Sequence, residues 1–138
     1  MEKSQKDKAD VKAAFAQFYK ALNEMFKGDL APMSAVWSHA NDVSYLGPQG
    51  GILVGWDNVL KSWKDQAAMK LGGTVEAHDM HLFINDNIAI IQNHEVGINY
   101  VKDSLQTIKI RATNIFRNEN GQWKMISHQT DRLSHLKK

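Results

Sequence analysis

The sequence contains no cysteine among its 138 residues. This absence excludes disulfide bonds, thiolate zinc sites, iron–sulfur clusters and cysteine nucleophiles. It also has no apolar run close to the roughly 20 residues that a membrane-spanning helix needs. The formal net charge of +2 is too small to indicate a nucleic-acid partner. We therefore expect neither a membrane segment nor binding to nucleic acid.

The composition, 43% hydrophobic and 23% charged, is ordinary for a folded protein. A chain of this length can bury one core without disulfides, and no repeat or linker divides it, so we expect a single domain over residues 1–138. Residues 1–7 are mostly polar and could be a disordered extension. Residues 1–10 carry no apolar stretch typical of a cleavable signal peptide, so we expect a cytoplasmic protein.

Helical periodicity dominates the first half of the chain. Apolar residues recur at three- and four-residue spacing from about Lys8 to Lys27, which predicts a long amphipathic helix that Gly28 ends. Turn residues and shorter apolar patterns divide the following segment. The predicted elements are helices at about 8–27, 30–37 and 56–69, with short strands at 43–46 and 52–54.

The second half is predicted to form an antiparallel meander. Alternating stretches are separated by Asn-, Asp-, Lys- and Gly-containing breaks that have hairpin-turn chemistry. Strands this long twist and coil strongly, which predicts a concave sheet. The four predicted strands run over about 74–84, 88–101, 105–117 and 122–131.

Both faces of this sheet carry apolar residues. In the second long strand, alternation places Asn93 and Glu95 on one face and Gln92 and His94 on the other, each among apolar neighbours. A face exposed to water would be more uniformly polar, so both faces are expected to be covered. A second copy of the chain is the simplest cover for the outer face, which predicts a homodimer.

Short segments at the element boundaries carry a family resemblance. They are Trp37-Ser38-His39, Gly47-Pro48-Gln49-Gly50-Gly51, Gly55-Trp56-Asp57, Arg111-Ala112-Thr113-Asn114-Ile115-Phe116-Arg117 and Gly121-Gln122-Trp123-Lys124-Met125-Ile126. Together with the order of elements, they resemble the SnoaL-like branch of the nuclear transport factor 2-like superfamily over essentially the whole chain.

The resemblance implies an α+β, cone-shaped fold in which three N-terminal helices pack on a strongly curved, mainly antiparallel sheet. It also implies a pocket between helices and sheet, and frequent dimers. Members include ketosteroid isomerase, polyketide cyclases, dehydratases and the association domain of a calmodulin-dependent kinase. Such a range does not select one reaction.

Aromatic residues are the first candidates for ligand contact. Each combines a large apolar surface with one hydrogen-bond donor, as small-molecule pockets require, although filling the core is the commoner role for any one of them. For Trp123, just after the last turn, we expect a purely structural role. The residues at the implied pocket are Trp37, Tyr45, Trp56 and Trp63.

Polar residues on the long strands are the second set. Glu95 and His128 are the candidate catalytic residues: a desolvated Glu95 can act as a base, whereas a neighbouring Arg would hold it ionised in a salt bridge. His128 could transfer a proton, donate to a ligand carbonyl or be structural. Asn93 is a candidate ligand contact. Arg111 and Asn114 lie on opposite faces of a regular strand, so only one of them faces inward. One bulge would exchange the two faces, which leaves both as candidates.

The comparison with ketosteroid isomerase is partial. Tyr19 on the first helix could supply one hydrogen-bond donor, but no Asp in the middle of a long strand replaces the second. His78, Asp79 and His81 are close in sequence, but the two histidines point to opposite faces unless a bulge intervenes, so no metal site is expected. No cofactor motif is recognised either.

Three functions remain open at this point. The preferred one is a pocket protein that binds a small, mostly apolar or amphipathic organic molecule. The first alternative is a cofactor-independent isomerase, dehydratase or cyclase that uses an acid/base residue in the pocket. The second alternative is a dimerisation or interaction module.

Overall fold

Three helices precede the long strands in the predicted order. The structure is a computed structural model, and it describes residues 2–131. The elements are α1 (Glu2–Met25), α2 (Ala31–Val36), β1 (Ser44–Leu46), β2 (Leu53–Val54), α3 (Trp56–Met69), β3 (Thr74–Asn85), β4 (Ile88–Val101), β5 (Ser104–Glu119) and β6 (Gln122–Asp131).

The first helix begins earlier than its apolar pattern predicts. It starts at Glu2, so the expectation that residues 1–7 could be a disordered extension is wrong for 2–7. Lys3 pairs with Asp7 at 3.1 Å, and Lys6 pairs with Asp10 at 2.6 Å. Such i,i+4 pairs favour helix, and the segment contains no Gly or Pro to interrupt it.

One six-stranded sheet follows the order β2-β1-β6-β5-β4-β3. All neighbouring pairs are antiparallel except β1 and β6, which run parallel. The helices pack against this sheet, so the predicted α+β fold with a curved, mainly antiparallel sheet is confirmed. Within residues 2–131, no helix combines the length and apolar character needed to cross a membrane.

Tight turns join the long strands. Only two residues separate each consecutive pair, and positive φ angles occur at Asp86 in the first turn, at Lys102 and Asp103 in the second, and at Asn120 and Gly121 in the third. Asn, Asp and Gly tolerate this conformation best, and two-residue turns suit the twist of hairpins. The predicted meander is therefore confirmed, with β3 one residue and β5 three residues longer than expected.

Two register shifts decide which side chains face the helices. In β3 the shift lies between His78 and His81, and in β6 residue Ile126 is the extra one, since Phe116 pairs with Met125 and Ile115 with Ser127. A bulge turns the following residues to the other face. His128 thereby comes to lie on the same side of β6 as Met125.

The core lies between the helices and one face of the sheet, called the inner face below. α1 is also tied to the sheet edge, because the Asn23 amide bonds to both the N–H and the C=O of Val75 at 2.8 and 3.1 Å. The largest fully buried side chains are Trp37, Trp63, Phe18, Phe116, Met25 and Met33.

Candidate functional site

A ring of five polar side chains lies inside the core. Tyr19 comes from α1, Asn93 and Glu95 from β4, Asn114 from β5 and His128 from β6. Alternation along β4 turns both of its members inward, and the register places Asn114 opposite His128. All five residues are between 0% and 7% exposed. Burying a polar group is costly unless it is hydrogen-bonded, so these five side chains must form hydrogen bonds with one another.

Hydrogen bonds connect the ring in a single direction. The Asn114 amide donates to Asn93 Oδ1 at 2.9 Å, and the Asn93 amide donates to the Tyr19 hydroxyl oxygen at 2.9 Å. Tyr19 then donates to Glu95 Oε2 at 2.8 Å. All three bonds point toward the carboxyl group, which is therefore the acceptor at the end of a polarised chain.

His128 closes the ring. Its Nδ1 lies 2.6 Å from Asn114 Oδ1, and because an amide oxygen can only accept, Nδ1 carries the proton. In the neutral imidazole, Nε2 is then a free acceptor, and it lies 3.4 Å from Glu95 Oε2. When Glu95 carries the proton, this imidazole nitrogen faces it as an acceptor.

Burial shifts both groups toward their neutral forms. It raises the pKa of Glu95 from 4.5 to about 7, against the opposing effect of the Tyr19 hydrogen bond. Burial lowers the pKa of His128 from 6.5 to about 3. Within residues 2–131, no Lys or Arg forms an ion pair with Glu95. The salt bridge that would hold Glu95 ionised is therefore not formed, and the carboxyl group titrates near neutral pH.

Aromatic rings surround the imidazole. The ring centroid of Phe18 lies 4.6 Å from that of His128, that of Trp63 lies 6.3 Å away, and Tyr45 is stacked at 5.9 Å with planes 7° apart. These neighbours exclude water from the imidazole and account for its low pKa. Glu95 and His128 are thus held among largely apolar side chains of the core.

The four aromatic ligand candidates lie in different surroundings. Trp37 and Trp63 are fully buried with centroids 6.2 Å apart, while Trp56 stacks on the His39 ring at 4.3 Å. Tyr45 is also buried, and its hydroxyl accepts a hydrogen bond from Gln66 at 3.1 Å. Of the four, Tyr45 borders a cavity as well as the polar ring.

Two cavities open at the surface of the described chain. One of about 380 Å³ lies against the opposite, outer face of the sheet and is lined by polar residues, among them the paired Asp79 and His94. The other, of about 220 Å³, lies between the β1–β2 loop and α3 and is bordered by Tyr45, Ser62 and Gln66. Neither cavity includes Glu95 or His128 in its lining.

Arg111 does not face the core. Its side chain is 69% exposed and forms a bidentate pair with Asp131 on the outer face, with distances of 3.2 and 2.8 Å. Asn114 takes the inward position instead, which corrects the expectation that Arg111 could contact a ligand in the interior. An inward guanidinium would have needed a buried partner for its charge, whereas an amide is satisfied by neutral neighbours.

Sequence reasoning identified all the ring members but not their connection. Tyr19 was expected only as an isolated donor and Phe18 only as part of the apolar face of α1, and Gln66 was given no role. The apolar pattern of α1 is local and indicates that Phe18 and Tyr19 face the core. The hydrogen bond from Tyr19 to Glu95 spans 76 residues, so no local pattern predicts it. Gln66, one helical turn after Trp63, was the available hint for a partner near the pocket.

The described residues do not form a metal site. In residues 2–131, no group of three or more His, Asp or Glu side chains is placed to hold a metal ion. The β3 bulge puts His78 and His81 on the same outer face, but their contacts differ: His78 lies 3.2 Å from Glu76, and the ring of His81 packs against Phe83.

Comparison with known proteins gives consistent matches. The family model of the SnoaL-like domain matches residues 11–130. A proposed dehydratase of the nuclear transport factor 2-like family from Streptomyces avermitilis is 25% identical with a TM-score of 0.82, covering 94% of this chain and 98% of its own. A proposed calcium/calmodulin-dependent protein kinase type II association domain from Thiobacillus denitrificans is 26% identical with a TM-score of 0.72, covering 88% and 94%.

More distant structures share the fold. A nuclear transport factor 2-like protein with a cystatin-like fold from Novosphingobium aromaticivorans is 14% identical, with a TM-score of 0.75 and coverage of 95% of this chain and 84% of its own. Among curated protein sequences, none matches.

Proposed function

Because the chain belongs to the SnoaL-like domain family of the nuclear transport factor 2-like superfamily, we propose that it binds a small, mostly apolar organic molecule and transfers a proton on it without a cofactor. The reaction classes are isomerisation and dehydration next to a carbonyl group. The observation that carries the proposal is the buried Glu95 carboxyl, which titrates near neutral pH between Tyr19 and His128.

Proton transfer needs a group that can exist in both forms at the working pH. A carboxyl with a pKa near 7 satisfies this condition, whereas a surface carboxylate is almost fully ionised and is a weaker base. Glu95 would accept the proton from the carbon next to the carbonyl, and the bonding electrons would move to the carbonyl oxygen. The same carboxyl group would then return the proton to a second carbon.

His128 would orient the carboxyl group in this cycle. Its unprotonated Nε2 lies 3.4 Å from Glu95 Oε2 and faces the carboxyl group as an acceptor when Glu95 carries the proton. The N–H on Nδ1, bonded to Asn114, keeps the imidazole in that tautomer. In a dehydration, the proton taken from carbon would instead pass to the departing hydroxyl group, which leaves as water. The Streptomyces avermitilis relative, a proposed dehydratase, supports the inclusion of this class.

The side chains around the polar ring indicate which chemical groups the ligand has. The indole N–H groups of Trp37 and Trp63 are buried without an acceptor among the described residues. An unpaired buried donor costs about 1–3 kcal/mol, so a ligand oxygen within reach of either indole would recover that free energy. The remaining contacts near His128 are aromatic and apolar. We therefore propose a largely hydrophobic ligand with one or two acceptor oxygens.

A ligand screen followed by variants tests the proposal. Thermal shift measurements with small carbonyl compounds, steroids and polyketides identify binders, and NMR in D₂O then measures deuterium uptake at carbon next to the carbonyl. Wild type is expected to catalyse uptake, and Glu95→Gln to reduce it at least 100-fold. Glu76→Gln is the matched control, because Glu76 is an exposed glutamate on the outer face. Equal uptake in all three proteins would reject Glu95 as the base, and binding with uptake no faster than in buffer alone would reduce the function to ligand binding without turnover.

A second candidate function is assembly through the outer face of the sheet. Large apolar side chains are exposed there, among them Phe83 at 51% and Leu105 at 55%. Their accumulation on one face is typical of an interface, and a two-fold dimer would bury them. The Thiobacillus denitrificans relative, a proposed association domain, supports this role. Ligand binding and dimerisation use opposite faces and are compatible.

A further inference from the structure

The 220 Å³ cavity lies next to the proposed site but does not reach it. It is formed by the β1–β2 loop on one side and by Ser62 and Gln66 of α3 on the other. Pro48, Ile52 and Leu53 add apolar surface to its lining. The proposed site itself is closed, since Glu95 and His128 are at most 5% exposed. A ligand can reach them only if some side chain moves.

The Tyr45 side chain contacts both the 220 Å³ cavity and the buried polar ring. It borders the cavity, and its ring is stacked 5.9 Å from that of His128, its register partner on β6. On the other flank, its ring centroid lies 4.6 Å from that of Trp63. Tyr45 therefore forms a partition between an open cavity and the buried imidazole.

One hydrogen bond and one close contact hold this partition. Gln66 donates to the Tyr45 hydroxyl at 3.1 Å. The tip of the same ring rests on Gly47, where an added Cβ would meet the hydroxyl oxygen at 2.6 Å and Cζ at 2.8 Å. Only glycine leaves room for the tyrosine in this position. The Gln66 contact is a single neutral bond that contributes about 1 kcal/mol, so it can break without unfolding the domain.

The wall beyond Tyr45 is built from short, weakly anchored backbone. β2 has two residues and forms the edge of the sheet, and Gly50 and Gly51 in the loop have positive φ angles with open space around them. Segments with few buried contacts open at low free-energy cost. This loop can yield while the long strands keep the polar ring in place.

We propose that the ligand enters between the β1–β2 loop and α3, that Tyr45 is the gate to the buried polar ring, and that the 220 Å³ cavity holds the non-reacting part of the ligand. This inference rests on the proposed function for the identity of the inner site. The mixed lining predicts that this outer part is apolar with one hydrogen-bonding group for Ser62 or Gln66. Tyr45 would then be a specificity-determining residue.

Chemical access to His128 tests the gate without any ligand. Diethyl pyrocarbonate modifies unprotonated imidazole, and peptide mapping by mass spectrometry gives the rate at each histidine. His128 in wild type is expected to react at least tenfold more slowly than the exposed His81. Tyr45→Ala should raise the His128 rate at least fivefold and leave the His81 rate unchanged. Tyr45→Phe removes the hydrogen bond to Gln66, and Gln66→Leu removes it together with the Gln66–Ser62 bond. Each should raise the His128 rate about twofold.

Phe18→Leu is the matched control. Phe18 also packs on His128, but from α1 on the helix side, away from the cavity. Its truncation loosens the core without opening the proposed entrance, so the His128 rate should stay near the wild-type value. An equal rise in Phe18→Leu and Tyr45→Ala, or no rise in the Tyr45 variant, would overturn the gate. If Tyr45→Ala does not fold, unchanged rates in both Tyr45→Phe and Gln66→Leu overturn it.

The result is independent of catalysis. If Tyr45→Ala raises the modification rate of His128 but Glu95→Gln leaves deuterium uptake unchanged, the entrance is retained and the acid/base reaction is rejected. If Glu95→Gln reduces uptake but the Tyr45 variants leave the His128 rate unchanged, the reaction is retained and this entrance is rejected.

Discussion

The Tyr19 hydroxyl donates a 2.8 Å hydrogen bond to Glu95 although 76 residues separate them in the chain. The bond joins α1 to the middle of β4 and ends a chain of donors that begins at His128. It favours the ionised carboxylate, in opposition to burial, which favours the acid. The balance between these two effects places the pKa of Glu95 near neutral pH.

Tyr19→Phe is expected to raise the pKa of Glu95 above 7, because the opposing hydrogen bond is lost while burial remains. The substitution also removes the acceptor of the Asn93 amide, so the free energy of unfolding should fall by about 1–3 kcal/mol. NMR titration of the carboxyl carbon measures the first effect and urea denaturation the second. Tyr100→Phe, at an exposed position on the outer face, should change neither quantity.

Glu95 and His128 have opposite effects on the pH dependence of stability. The folded pKa of Glu95 is raised from 4.5 to about 7, so stability falls as the pH increases between these values. The folded pKa of His128 is lowered from 6.5 to about 3, so stability is lost as the pH decreases from 6.5. Between about pH 4.5 and 6.5 the two contributions cancel in wild type.

Single substitutions should therefore expose opposite slopes. Between pH 4.5 and 6.5, Glu95→Gln should become more stable with rising pH and His128→Asn less stable, each by up to about 1.4 kcal/mol per pH unit. Urea denaturation at a series of pH values gives both slopes, and the double variant should be flat. Parallel curves for the two single variants would show that the residues do not titrate as described.

Asn114→Ala tests the ring as a stabilising unit. The substitution leaves Asn93 Oδ1 without the Asn114 donor and removes the acceptor that fixes the His128 tautomer. Leaving buried polar groups unpaired costs about 1–3 kcal/mol in the free energy of unfolding. Thr113→Ala, next in sequence but on the outer face of β5, should cost well under half of that. A loss in Asn114→Ala no greater than in Thr113→Ala would contradict a cooperative ring.

Alternation alone was sufficient for the β4 part of the site. Asn93 and Glu95 are two residues apart, and the strand between them is regular, so both face the core as predicted. The turn residues also located the three hairpins correctly. These features are local, and the sequence patterns that report them span only a few residues.

His128 shows why the remainder of the site was harder to predict. Trp123 and Met125 are odd-numbered inward residues of β6, so without the extra residue Ile126 the even-numbered His128 would face outward. A bulge depends on how two strands fit the curvature of the whole sheet, and one residue decides the face. The choice between Arg111 and Asn114 depended instead on the regular β4–β5 register, which pairs Asn114 with the inward Ile91.

Assembly through the outer face predicts a change in oligomeric state on charge insertion. Phe83→Glu or Leu105→Glu would bury a carboxylate in the proposed interface, so the dimer should dissociate at concentrations at least tenfold higher than wild type does. Size-exclusion chromatography with light scattering measures this shift. Met69→Glu is the control, because Met69 is exposed on α3, away from that face. A wild-type chain that stays monomeric at high concentration would reject the interface.

The protonation of Glu95 in the resting protein is the central quantity. With uniformly ¹³C-labelled protein, the carboxyl resonance assigned by its absence in Glu95→Gln can be followed from pH 3 to 9. A midpoint near 7, well above that of the exposed Glu76, is the predicted result. A midpoint at or below 4.5 would show a permanently ionised carboxylate and would contradict the proposed proton transfer.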